Sequence, residues 1–318
     1  MRRVVILYNP RSGRARSRRK SDVERAAAVF RAKNLEVETH PTTGARCADR
    51  QAKQFVEAGF DTVIACGGDG TVHDVLQGMV GTEAVLGVLP LGTANSLAAD
   101  LGLSRNPALA ASQLLIAQAT RIAIGRIHYQ RTPDRRETRY FTVAAGVGVD
   151  AALFYKLNAQ FKQRYGMVAY VGESLRQWVV QKFHPFRVEW NDLDSGQQRS
   201  EIVTQLLVVR IADFGGVLKQ LAPGADLLRD DFRLVLFKTA SRARYLRFVT
   251  GRLIGQDWSD PHIELVDAKS VSCFPHNHDG TAREPVIHAE ADGELLGRLP
   301  VQMEMLPSAF NLLIPPRK

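Results

Sequence analysis

The hydrophobic pattern divides the chain near residue 120. Before that point, short unbroken apolar runs alternate with stretches whose apolar residues recur at helical spacing. Residues 4–8 form one such run, which leaves into Asn9-Pro10 and predicts a buried strand feeding a loop. Val23, Ala26, Ala27 and Phe30 share one helix face, so 21–32 is expected to be helical. A strand at 35–39 and a helix at 45–58, stopped by Gly59, come next. They are followed by a strand at 62–66, a helix at 72–79 and a strand at 84–89. Helices at 94–100 and 107–119 close this part. Strands separated by helices predict parallel βαβ units, whose ligands gather at the carboxyl ends of the strands. The glycine-bearing loops at 9–13, 67–71 and 90–93 all fall there.

From residue 121 the pattern becomes strand after strand, expected at 122–129, 138–149, 186–190, 202–211, 232–239, 262–274 and 286–291. Polar turns such as 191–196 join them, and two helices are expected to interrupt near 151–161 and 167–182. This is the signature of a mainly antiparallel β-sandwich domain, which needs no helix between consecutive strands. The predicted organisation is an α/β N-terminal domain with a parallel sheet over 1–120 and a β-rich domain over 121–299. The last segment, 300–318, is expected to return to the first domain.

Composition narrows the function classes. The 318 residues are 45% hydrophobic and 24% charged, as in ordinary globular proteins. No run approaches the ~18 apolar residues of a membrane-spanning helix, and the opening apolar run is too short for a signal peptide. Cys47, Cys66 and Cys273 lie far apart without a CxxC pair, so no disulfide framework is expected and the compartment is read as the reducing cytoplasm. The formal net charge is +9, and residues 1–20 hold eight Arg or Lys with no acid. Such a block suits anionic lipid headgroups or polyphosphate, or is a solvated helix start. Nucleic acid is excluded as partner, since no recognition motif and no aromatic ladder accompany the charge.

The chemistry centres on Gly67-Gly68-Asp69-Gly70-Thr71. Glycines remove the Cβ atoms, so backbone N–H groups can approach phosphate oxygens, and the following helix points its positive end at the same place. Asp69 cannot attract phosphate itself; it suits a metal ion or an attacking hydroxyl, or else it is only the cap of a strand–helix turn. The chain has no Gly-Lys dipeptide and hence no P-loop. Gly146-Val-Gly148-Val-Asp-Ala151 imitates a dinucleotide fingerprint but lies in the β-rich half. Asp292-Gly293-Glu294 reads alone as a hairpin turn, and His276, His278, Asp279 and His288 as a polar loop without zinc-type spacing.

Taken together, Asn9-Pro-Arg-Ser-Gly13, the 67–71 loop, Leu89-Pro-Leu-Gly-Thr-Ala-Asn95 and Asp292-Gly-Glu294 resemble the diacylglycerol kinase catalytic-domain family, in order and spacing. That family includes bacterial soluble lipid kinases and sphingosine kinases, and is distantly related to NAD kinases. The resemblance implies an α/β nucleotide-binding domain and a β-sandwich lipid-binding domain, using ATP and Mg²⁺. By it, Asn9, Ser12, Thr43, Gly67, Gly68, Gly70, Thr71, Thr93 and Asn95 hold the nucleotide, and Asp69, Asp292 and Glu294 are catalytic. It also implies a metal site at Asp230 or Asp231, where the family commonly has Asp-Gly instead. Further departures are Asp74 for the usual Glu, Cys47 for a frequent His, Val143 for Asn and Ser96 for Asp.

The expected activity is phosphorylation of a diacylglycerol-like lipid by ATP. The alternatives are a sphingoid or other long-chain alcohol, a soluble acceptor, or a regulator without turnover. The expected partner is a lipid substrate at a membrane surface, met by reversible peripheral contact, and a homodimer is compatible with the sequence. Contact candidates are the basic block and the aromatics Phe154, Tyr155, Phe161, Tyr165, Tyr170 and Trp178.

Overall fold

The computed structural model describes residues 1–12, 18–44, 46–132, 134–148, 182–215, 221–276 and 286–316. The chain forms two units, Met1–Ile124 with Pro307–Lys318, and Gly125–Leu306.

In the first unit β1 (Arg3–Tyr8), β2 (Glu36–Pro41), β3 (Thr62–Gly67) and β4 (Val85–Pro90) form a parallel sheet in the order β2-β1-β3-β4. β3 is buried along its whole length, which is why its sequence is a continuous apolar run rather than an alternation. The helices are α1 (Arg19–Arg31), α2 (Ala48–Glu57), α3 (Asp69–Gln77), α4 (Ser96–Asp100) and α5 (Pro107–Leu115). The predicted face of α1, Val23, Ala26, Ala27 and Phe30, is buried. α3 starts three residues earlier than the apolar spacing predicts, because extended Gly68 serves as its N-cap and places Asp69 in the first turn. α5 stops at Leu115 instead of 119, since Gln118 already opens β5 (Gln118–Thr132). The chain end returns here: in β14 (Glu294–Ile314), Asn311 and Leu312 pair in parallel with Val85 and Leu86 of β4. The Asn311 side chain adds a hydrogen bond to the Glu83 carbonyl at 3.1 Å.

The second unit is antiparallel. It holds β6 (Arg135–Phe141), β7 (Ala144–Gly148), β8 (Phe186–Asp192), β9 (Gln198–Val203), β10 (Gln205–Val209), β11 (Phe232–Phe237), β12 (Ile263–Pro275) and β13 (His288–Ala291). β6 pairs with β5. The main path runs β14-β13-β7-β10-β11-β12-β8-β9, and a further β12–β14 pairing joins the two ends of its first six strands. The single strand expected over 202–211 is two strands: at Thr204 the chain leaves its partner β8 and moves between β7 and β11. Thr204 anchors the switch through its hydroxyl, 2.6 Å from the Thr239 carbonyl. The strand expected over 138–149 likewise divides into β6 and β7. A helix that periodicity did not predict, α6 (Arg242–Leu253), follows β11. The helices expected near 151–161 and 167–182, and the aromatic contact candidates in them, lie outside the described residues except for Lys182.

Candidate active site

At the end of β1, Asn9 donates its backbone N–H to Cys66 O (3.1 Å) and so ties the first loop to β3. Its amide nitrogen reaches Thr71 Oγ1 at 3.4 Å, and its Oδ1 accepts from Arg11 N at 2.9 Å. Ser12 folds back on the Asn9 carbonyl through both its N–H and its hydroxyl, and Arg19, buried at the start of α1, donates to Ser12 O. One asparagine thus orders the loop and points it at the start of α3.

The second and third loops are a single backbone unit. A Cβ on Gly67 would stand 2.4 Å from Thr71 Oγ1, and one on Gly92 would stand 2.4 Å from Gly68 Cα, so neither position has room for a side chain. Leu91 N donates to Gly67 O at 2.8 Å. Asp69 completes the junction: its two carboxylate oxygens accept the backbone N–H groups of Asn95 (2.9 Å) and Ser96 (2.6 Å). Asn95 can offer its N–H because it takes the left-handed conformation, φ 55°, which Asn tolerates better than most residues. Its side chain closes the Gly92 turn with bonds of 2.8 and 3.0 Å. The space around Gly70 is open, and the positive end of α3 points there, with the N–H groups of Thr71 and Val72 turned back to the Gly68 carbonyl at 2.9 and 3.2 Å. Thr93 is half-buried in the turn that Asn95 closes. Thr43 is exposed after β2, and its N–H bonds Gln51 Oε1 at 3.2 Å.

Asp74 has an architectural partner. Its buried carboxylate accepts the backbone N–H of Arg46 at 3.0 Å and holds the loop before α2 against α3, with Arg46 itself left-handed at φ 57°. Asp74→Ala is therefore expected to cost about 1–3 kcal/mol, the usual penalty for a stranded backbone donor, read as a lower urea midpoint with an unchanged slope. Cys66 beside Gly67 is no nucleophile, since burial pushes its thiol up to about 12.

In the second unit Asp292 and Gly293 both have positive φ (48° and 82°) and form the two-residue hairpin between β13 and β14, closed by the Ala291–Glu294 pair. Asp292 is buried. One carboxylate oxygen accepts from Val143 N (2.9 Å) and Ala144 N (3.1 Å), the other from Thr142 N (2.9 Å) and its hydroxyl (3.4 Å). Glu294 is half-buried at the first position of β14.

Sequence reasoning missed Arg210, which is fully buried and donates to the Leu227 and Arg229 carbonyls at 3.1 and 3.4 Å. Burial pushes its guanidinium down to about 10, against the opposing pull of Asp292, Asp230 and Asp231. Its one signal was a lone charge inside the apolar run 206–211. Asp230 is exposed, and Asp231 is gripped by Arg229 through bonds of 2.6 and 2.7 Å. Among the described residues no cluster of three His, Cys, Asp or Glu side chains suits a metal ion, and no helix is long and apolar enough to cross a membrane. Of the polar loop, His278 and Asp279 lie outside the described residues.

Known proteins agree with this architecture. Residues 3–127 match the diacylglycerol kinase catalytic domain, and 142–314 match the YegS C-terminal NAD kinase beta sandwich-like domain. The diacylglycerol kinase of Bacillus subtilis (strain 168) is 30% identical over 321 residues, covering 100% of this chain and 98% of the relative. That of Mycobacterium tuberculosis (strain ATCC 25618 / H37Rv) is 27% identical, covering 98% and 95%. A crystal structure of a diacylglycerol kinase from Bacillus anthracis str. Sterne shares the fold, with TM-score 0.68 at 19% identity over 99% of this chain and 97% of that one. Both halves and the whole length being accounted for, the chain belongs to the diacylglycerol kinase family and is a lipid kinase, a phosphotransferase with an alcohol group as acceptor.

Proposed function

We propose that the protein transfers the γ-phosphate of ATP to the hydroxyl of a diacylglycerol, with Mg²⁺ as the accompanying ion. The observation that carries this reading is the fused backbone unit of the 67–71 and 92–95 loops, cross-linked by Asp69 at the N-terminus of α3. Phosphoryl transfer asks a protein mostly for positioning and charge neutralisation. Backbone donors from Gly67, Gly68 and Gly70 and the Thr71 hydroxyl, with Asn9, Ser12, Thr43, Thr93 and Asn95, supply the positioning. Asp69 accepts the proton of the acceptor hydroxyl late in the transfer. Glu294 is our second candidate carboxylate, and within the second unit Asp292 holds the hairpin that carries it.

Mg²⁺, when bound, neutralises charge on the phosphates. Asp69 is the carboxylate of this unit that would hold the ion, as the alternative to taking the acceptor's proton. A second, structural ion at Asp230 and Asp231 would have to displace Arg229, which holds both Asp231 oxygens at 2.6 and 2.7 Å. Chelation with EDTA is expected to stop turnover at least about a hundredfold, with full recovery on added MgCl₂, in an initial-rate assay. We place the substrate at a membrane surface, where each exposed, unpaired cation of the amino-terminal block gains roughly 1 kcal/mol from anionic lipid, a set that leaves out buried Arg19 and Arg3 on Glu36.

The test incubates the protein with labelled ATP, Mg²⁺ and micelles of diacylglycerol, sphingosine, ceramide or phosphatidylglycerol, with NAD alongside. Label in diacylglycerol is expected. Label in sphingosine alone would replace the substrate, and label in none while ATP still binds would sink the reading.

A further inference from the structure

α6 presents two apolar faces, and among the described residues only one is covered. Tyr245 and Phe248 are buried on Phe237, with ring centroids 4.5 and 5.3 Å away, and Gly251 is buried with them. On the opposite side Leu246, Leu253 and Ile254 are 53%, 40% and 57% exposed. At 3.6 residues per turn, positions seven apart lie in one row. Leu246 and Leu253 make one row, and Arg247 and Ile254 make its neighbour. Arg242, four residues before Leu246, stands at the head of the first row, and its guanidinium lies 5.2 Å over the Phe183 ring. Residues 242–254 contain four arginines and no acid. Among the described residues, Asp260 on Arg244 at 2.9 Å and Asp257 on Arg252 at 3.0 Å pair with the arginines of the covered side.

We propose that the solvent face of α6 is a docking surface for an anionic membrane, separate from the amino-terminal basic block. An apolar stripe edged by cations is the pattern of a helix lying in the interface plane. The leucines and Ile254 enter the headgroup–acyl boundary, while the exposed Arg247 turns its charge outward to lipid phosphates. A second copy of the chain fits less well. A two-fold contact would bring the arginine edges together, and one face of a twelve-residue helix falls well short of the ~800 Å² per partner of a stable interface. The inference goes beyond the catalytic reading and does not depend on it.

The test uses the full chain in flotation with vesicles of phosphatidylcholine, alone or mixed with phosphatidylglycerol. The wild type is expected to bind the anionic vesicles. Combined Leu246→Gln, Leu253→Gln and Ile254→Gln should lower binding at least about tenfold, since the apolar area that would leave water is removed. Arg247→Glu should lower it severalfold and flatten its salt dependence. All these positions are exposed, so an unchanged melting temperature is expected, as is unchanged turnover on a dispersed short-chain diacylglycerol. Triple-variant binding equal to wild type would overturn the proposal. So would a wild-type dimer that the triple variant dissolves. Loss of vesicle binding in a protein that phosphorylates no lipid would uphold the docking face while removing the kinase chemistry.

Discussion

Asp69→Ala is expected to lower kcat by about 10²–10⁴-fold, the span that a positioned general base contributes. A loss of that kind alone would not show what Asp69 does, because its carboxylate also holds the N–H groups of Asn95 and Ser96 and so joins two loops. The two roles separate in Asp69→Asn. An amide keeps one acceptor oxygen but turns an NH₂ toward the other backbone N–H, so the junction is half retained while the base is lost. If Asp69 takes the acceptor's proton, both variants lose kcat to a similar extent. The alanine variant alone then shows a marked rise in KM for ATP and a lower melting temperature, from roughly 1–3 kcal/mol of stranded donors. A purely structural Asp69 predicts the reverse order: Asp69→Asn nearly as active as wild type, with kcat tracking stability. Steady-state kinetics on both variants beside their thermal melts decides between them, and an active asparagine variant would sink the catalytic assignment.

The first unit was legible because its physics is one-dimensional. Buried parallel strands read as unbroken apolar runs, the face of α1 as three- and four-residue spacing, and glycines at strand ends as places of close backbone approach. What could not be read is the agent joining those glycines. Asp69 works through backbone N–H groups, which carry no side-chain signature, and so does Asp74, whose partner Arg46 N–H would be the same for any residue at that position. α6 escaped for a different reason. Tyr245 and Phe248 face inward and Leu246 and Leu253 outward, so apolar residues surround the helix and no period of 3.6 stands out. Arg210 was hidden by the rule that charges mark surfaces, which a guanidinium held by two carbonyls and the pull of nearby carboxylates is able to break.

Asp292 is where the motif and the geometry pull apart most. Its resemblance to a catalytic Asp-Gly-Glu turn names it a reacting group, yet both its oxygens are occupied by the Thr142, Val143 and Ala144 turn. Asp292→Ala strands three backbone N–H groups at a buried site, each worth up to about 1–3 kcal/mol. It also removes the first of the negative charges that favour the buried Arg210 cation. A combined loss of about 3–6 kcal/mol follows, of the order seen when a buried charge is left without its counterpart. That is a large share of the ~5–15 kcal/mol that holds a domain folded. Asp292→Asn keeps one oxygen acceptor and tolerates the left-handed φ of 48°, so its loss should stay near 1–3 kcal/mol. Urea denaturation orders the proteins as wild type, Asn, then Ala, and kinetics below the transition gives the role. An asparagine variant that is folded and retains most of its kcat makes Asp292 the anchor of the hairpin and leaves the chemistry of the second unit to Glu294. One that is as stable as wild type but inactive would reverse that assignment, because an anchor gripping three backbone N–H groups should show its loss in stability as well as in turnover.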